Sequence, residues 1–325
     1  MSFSANASAE ANVIKIEGTQ EFSFSPELTI NWQKGDSDSK TSFPMRLLEG
    51  TSRVLNPAKY ESRLAEARKI HTKSICDCYS LYKTTMPSLT DNQAFLLANG
   101  YMLSPGEADN ITAILSESSA NCPEDADPDV LDTQFKDQLI KGGSAAYDDE
   151  VRRIWSSLLS SELKSPGTFS KKTLNMLSSM DKHDVEAFKT LCSFSLTTPG
   201  NNRPSPVLTT INGEGWSYNG GGITVDDLGT LDAIGLIDKN TWVTYTLNPH
   251  SPQVYQCGTR CFFVKNRTNK DVKFEFGNAL FLPSGIELST LCEMGTSDKI
   301  IDLVECALAG TGLDVELSFV PNEAL

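Results

Sequence analysis

The clearest hydrophobic pattern in the chain lies between Tyr147 and Ser195. Val151, Ile154, Trp155, Leu158 and Leu159 recur at i, i+3, i+4, i+7 and i+8, the spacing that gathers side chains into one stripe along an α-helix. Asp148, Asp149 and Glu150 stand at its start, where negative charge suits the helix dipole. Ser165-Pro166-Gly167 breaks the run. Ser170 or Thr168 then caps a second helix that buries Leu174 and Leu177. Asp181 caps a third, which turns Val185, Phe188, Leu191 and Cys192 inward.

Upstream the helical signal is looser. From about Pro57 to Tyr82 helix formers dominate, with Leu64, Ile70, Ile75, Tyr79 and Leu81 marking one face. Shorter helices are predicted around Asp91–Asn99, Ser104–Leu115 and Asp127–Ile140. A loop falls at 121–125, and Lys141-Gly142-Gly143 ends the last helix. Residues 1–45 are rich in Ser, Asn and Thr. Alternation at Val13–Glu17 and Phe22–Phe24 predicts one or two short strands or a loose arm, and 34–40 reads as a loop.

Downstream, 197–222 reads as a linker, through Thr198-Pro199-Gly200-Asn201-Asn202 and Gly220-Gly221-Gly222. Thr224, with Asp227 three residues on, caps a helix that buries Leu228, Leu231 and Ile234 and stops at Gly235. Trp242–Leu247, Val254–Lys265 and Val272–Phe276 alternate as strands, and Asn266-Arg267-Thr268-Asn269 reads as a hairpin turn. Ser284 opens a short helix through Leu291. Ser297 caps a longer one with Ile300, Ile301, Val304 and Leu308 on one face and Gly310 at its end. Leu313–Phe319 is a final strand. Helix, strand, hairpin, helix, helix, strand resembles an elaborated winged-helix module. The predicted class is therefore α+β. An N-terminal arm (1–45) leads into a helical body (46–196), the linker (197–222) and a C-terminal winged-helix-like α/β module (223–325).

Composition narrows the function classes. The 325 residues are 39% hydrophobic, enough for a real core, and carry a formal net charge of -14. That field opposes nucleic acid and anionic membranes. Cations gather in one place, Arg260, Lys265, Arg267, Lys270 and Lys273, where a winged-helix hairpin would touch a nucleic-acid backbone or a partner. From residue 220 onward, however, seven Lys and Arg face fourteen Asp and Glu, a balance unlike that of nucleic-acid-binding domains. There is no secretory signal and no apolar run long enough for a membrane span. With the eight cysteines read as reduced thiols, the expected compartment is the cytoplasm.

Catalytic chemistry is hard to find. The histidines, His71, His183 and His250, fall in no metal-binding spacing. Cys76-Asp77-Cys78 is too tight for the usual zinc pair, and Cys257 and Cys261 lack a second pair. Gly220-Gly221-Gly222 precedes a helix but has no following Lys-Ser/Thr, and Asp226 and Asp227 would repel phosphate. The cofactor expectation is none, and no catalytic or metal residue is assigned.

Asp148–Glu162 followed by Ser165-Pro166-Gly167-Thr168-Phe169-Ser170-Lys171-Lys172-Thr173-Leu174 resembles a bacterial family of unknown function. In that family a helix with a W-x-x-L-L core precedes P-G-x-F-S-K and a further helix pair. Leu231–Ile237 and Leu282-Pro283-Ser284-Gly285-Ile286-Glu287-Leu288 resemble its C-terminal features. Together the match covers about half the chain. More distantly the arrangement is similar to abortive-infection proteins of the Abi-alpha type. The resemblance implies a non-enzymatic bacterial interaction or sensor protein in anti-phage defence, with another protein, from host or phage, as partner. A DNA-binding regulator using the basic hairpin and an enzyme of unrecognised type are the alternatives. Self-association stays open.

Overall fold

The computed structural model describes residues 73–122, 126–198, 201–209, 217–219, 222–258 and 260–318, together with the backbone of an antiparallel strand pair, β1 (Asn12–Ile16) and β2 (Gln20–Phe24). The rest of the predicted 57–82 helix, the 34–40 loop and Gly220-Gly221 lie outside the described residues. The fold is α+β, helical in its earlier part with antiparallel sheets toward the C-terminus. Two compact units divide at Thr168/Phe169.

The first unit is helical. After α1 (73–85) come α2 (Asp91–Ala98), α3 (Pro105–Asn121), α4 (Thr133–Ser144) and α5 (Asp149–Lys164). Each start is set locally. Thr90 with Gln93 and Ser104 with Glu107 close capping boxes, and Asp132 and Asp148 each accept from a first-turn N–H. The predicted stripe of α5 is the core: Trp155, Leu158 and Leu159 have no exposure. Where α3 meets α5 the seam is serine. Ser118 Oγ donates to Ile114 O at 2.6 Å and lies 3.2 Å from Ser156 O, and Ser160 Oγ donates to Ser156 O at 3.0 Å. These hydroxyls satisfy themselves on backbone carbonyls, so small polar residues let the helices approach without leaving orphaned groups. Arg152 links α5 to the end of α4 by donating to Ala146 O (3.2 Å), Tyr147 O (3.0 Å) and Asn110 Oδ1 (3.0 Å). One expectation fails here. Gly142 and Gly143 do not stop α4, which runs to Ser144. A Cβ on Gly143 would come within 2.9 Å of Ile114 and 3.1 Å of Ile111, so the glycine serves close helix packing rather than termination.

The second unit begins with α6 (Lys171–Leu177) and α7 (Lys182–Ser193), capped by Ser170 and Asp181 as predicted. These helices, grouped by the sequence with the helical body, belong to this unit. Part of the stretch read as a linker is strand: β3 (Ser195–Thr198) and β4 (Asn201–Pro206) pair, and β5 (Ser217–Tyr218) pairs with β6 (Ile223–Thr224). Helix α8 (Val225–Ile234) follows, with the Thr224–Asp227 capping box and Gly235 at φ +89°. Then come β7 (Ile237–Asp238), β8 (Thr244–Leu247), β9 (Pro252–Cys257), β10 (Arg260–Asn266), β11 (Val272–Glu275), β12 (Leu280–Phe281), α9 (Pro283–Ser289), α10 (Ile300–Leu308) and β13 (Leu313–Ser318). The main sheet has the order β13-β10-β9-β3-β4, and β8–β11 and β7–β12 are separate pairs.

Three expectations change. Val254–Lys265 is not one strand, because the chain folds back at Gly258 and pairs β9 with β10. Residues 266–271 are not a hairpin turn: β10 pairs with β9 and β13, while β11 pairs with β8. Ser284 and Ser297 do not cap, since neither α9 nor α10 has a side-chain cap bond. Pro283 takes the first position of α9, where its missing N–H costs nothing.

The motif segments meet inside this unit. Glu287 of α9 accepts from Ser170 N (2.7 Å) and Thr173 Oγ1 (2.5 Å) at the start of α6. Leu282 N donates to Leu236 O at 2.9 Å, and a Cβ on Gly285 would sit 2.1 Å from that same oxygen. Only glycine fits there. The Phe169–Leu174, Leu231–Ile237 and Leu282–Leu288 motifs therefore form one structural joint.

Candidate functional site

A cavity of about 270 Å³ opens in the second unit. One wall is β4, the edge of the main sheet, where Pro204 and Pro206 are tolerated because edge strands need fewer ladder donors. Arg203, Pro204, Ser205 and Pro206 line it from this side. The facing wall is Trp242, Val243, Thr244 and Tyr245, and Phe276, Gly277, Ala279 and Leu280 complete it. A Cβ on Gly277 would come within 2.8 Å of the Leu208 side chain, and Leu208 N donates to Phe276 O at 2.7 Å. The chain is thus pressed against Leu208 beside the cavity.

The aromatic side chains behind this lining are locked together. Tyr245 stacks on Phe274 (centroids 5.5 Å apart) and tilts against Phe276 (5.4 Å), which meets Tyr255 edge-on at 5.3 Å. Such contacts fix ring orientations beyond simple burial. Trp242, by contrast, is 58% exposed at the rim. The Tyr245 hydroxyl bonds the Ser205 hydroxyl. Burial raises the Tyr245 pKa above its ordinary value, while Ser205 and the charge of Arg203 oppose the rise, so the group is a neutral phenol at physiological pH. The cavity therefore offers rigid aromatic faces, a neutral hydroxyl pair and one guanidinium. None of its lining residues is a carboxylate, imidazole or thiol.

The basic residues singled out from sequence are placed as follows. Arg260 opens β10, and its side chain is outside the described set. Lys265 is half-buried in β10, opposite Asp314 of β13. Arg267 Nε donates to Asp314 Oδ2 at 2.7 Å. Lys270 and Lys273 are exposed. The loop between them is shaped by buried Asn266, whose amide donates to Leu247 O and Lys270 O, each at 2.8 Å. Acid is therefore interleaved with base here: Asp314 pairs with Arg267 and stands across from Lys265 in the ladder.

Other candidates can be placed too. Cys76 is buried; burial first, and the Asp77 charge second, push its thiol up to about 11. That disfavours the thiolate a metal needs. His183 approaches Asp227 at 3.3 Å, but Asp227 is already engaged in the Thr224 cap. Among the described residues, no group of three or more His, Cys, Asp or Glu is placed to hold a metal ion, and no helix is long and apolar enough to cross a membrane.

Sequence reasoning missed the cavity. Arg203–Pro206 lay in the supposed linker, and Tyr245 read as one more alternating strand residue. An exposed Trp beside an aromatic strand and a Pro-x-Pro segment were the available signals, but nothing local joins residues 40 positions apart.

An α+β protein with an aromatic, hydroxyl-bearing cavity beside a sheet edge is the class these features define. The chain belongs to the family described as "Protein of unknown function (DUF2806)", which matches residues 103–305, more than half its length. No curated protein and no solved structure matches it significantly.

Proposed function

We propose that this chain is a cytoplasmic, non-enzymatic binding protein that recognises another protein through the Trp242–Tyr245–Arg203 cavity. The lining of that cavity carries the reading. Aromatic walls with a few placed polar groups are how extended, ring-bearing peptide segments are held. The occupant is a segment of the partner that presents a proline or aromatic ring, and that ring packs on Trp242. The setting is anti-phage defence, on the motif resemblance to Abi-alpha-type abortive-infection proteins.

The test is a plaque assay with and without the gene across a broad phage panel, run beside Trp242→Ala and Arg203→Glu. Defence predicts lower titres with the intact gene; equal titres across the panel remove the defence role. Loss of protection in both variants supports the cavity. Full protection by both removes it as the recognition site while leaving the defence setting standing.

A further inference from the structure

One wall of the aromatic cavity has a hydrogen-bonding character that the strand pairing settles. Val207 N donates to Phe194 O at 2.8 Å, with Ser195 opposite Pro206 and Leu196 opposite Ser205. In an antiparallel ladder, pairs that exchange both backbone bonds alternate with pairs that exchange none. Leu196 and Ser205 are therefore an exchanging pair, and Pro206 turns its carbonyl to the outer edge of β4. Pro204, two residues back along the strand, does the same. Neither proline has an N–H, so this edge presents acceptors without donors. Both prolines are buried and line the cavity, and a buried carbonyl calls for a donor. Nearby hydroxyls are engaged elsewhere: those of Ser205 and Tyr245 bond each other, and Thr244 Oγ1 donates to Glu275 Oε1 at 2.7 Å.

We propose that the cavity takes a single tryptophan side chain of the partner protein, its indole N–H donating to the Pro204 or Pro206 carbonyl and its ring lying against Trp242. This rests on the reading of the cavity as a protein-recognition site and narrows it to one residue type. Size limits the occupant first. A volume of about 270 Å³ is below the roughly 300–1,000 Å³ of pockets that hold whole small molecules, so there is room for one side chain. Donor and acceptor matching then selects it. Phenylalanine and proline would fill the space and leave the carbonyls without a donor. Tyrosine, histidine, asparagine and glutamine donate but also bring acceptors that this wall cannot serve. Lysine and arginine donate only, but a charge among aromatic and proline groups, with no carboxylate in the lining, is costly. Indole is an aromatic ring with one donor, no acceptor and no charge.

The experiment titrates the full chain, isotope-labelled at tryptophan nitrogen, with N-acetyl-tryptophanamide, with its benzothienyl analogue and with N-acetyl-phenylalaninamide. The benzothienyl ring keeps the shape of indole and replaces the N–H by sulfur. The Trp242 indole resonance, assigned by its loss in Trp242→Phe, reports occupancy. The tryptophan probe is expected to shift that signal to saturation, and the other two to bind about three- to tenfold more weakly. Equal binding by all three overturns the donor requirement and leaves a ring-binding cavity standing. No shift of the Trp242 signal by the tryptophan probe overturns the proposal, as does undiminished binding of that probe to Trp242→Ala. The plaque result with the same variant judges the wider reading separately.

Discussion

The helices of residues 73–164 and the sheet-bearing unit that follows close their cores by different means. In the first, α2–α5 are each started by a cap of their own, and their neighbours in space are largely their neighbours in sequence. α3 packs on α4 and α5, with Trp155 fully buried and serines satisfied on carbonyls one turn away. In the second, the main sheet joins Ser195 to Ser318 through the order β13-β10-β9-β3-β4, and further joints outside that sheet tie remote segments together. Glu287 on Ser170 and Gly285 on Leu236 are two of them. A cap is one local term among several in the first unit. The joints of the second depend on contacts between segments far apart in sequence. The aromatic cavity sits in that second kind of structure.

Single substitutions test the two kinds of core. The largest effect is expected from Trp155→Ala, which empties the centre of the first unit and costs about 3–5 kcal/mol. Denaturant unfolding followed by helical circular dichroism measures it, and a loss below about 1 kcal/mol would mean the α5 stripe is not the core it looks like. Next is Gly285→Ala. The added methyl meets a backbone oxygen rather than a flexible side chain, and overpacking of that kind costs about 1–3 kcal/mol. Amide exchange should rise in α9 and at 236–238; unchanged protection would show that the joint can spread. Glu287→Gln keeps the shape but gives up a charged acceptor shared by two donors, for about 1 kcal/mol. A thermal melt compared with Glu287→Ala separates charge from shape.

Trp242→Ala should barely change stability, by less than about 0.5 kcal/mol, because the ring is mostly exposed. A large loss would mean that the ring props the fold rather than serving a ligand. The smallest effect is a pH term in the first unit. The Ser104 backbone and side-chain hydrogen bonds hold the Glu107 carboxyl below its ordinary pKa. A depressed folded value means that its stabilisation is present above the ordinary glutamate pKa and is lost as pH falls through the folded one. The stability gap between the native chain and Glu107→Gln should therefore narrow on acidification, read by paired melts at neutral and acid pH.

Most helices, and several of their ends, can be read from the chain without its fold. The Trp155 stripe, the Ser170, Asp181 and Thr224 caps and the Gly235 stop were legible because an apolar period and a cap each act within about one or two turns. The sequence also placed the alternating strands of the last hundred residues and the α+β class. Tertiary structure decided what those strands pair with. It sent β10 to β9 and β13 rather than to β11, carried the helix through Gly143, drew Asn201–Pro206 out of an apparent linker, and let Pro283 start a helix without a side-chain cap. It alone brought Ser205 to Tyr245. Pairing and close approach between distant segments depend on the summed fit of whole faces, which no short window of residues contains.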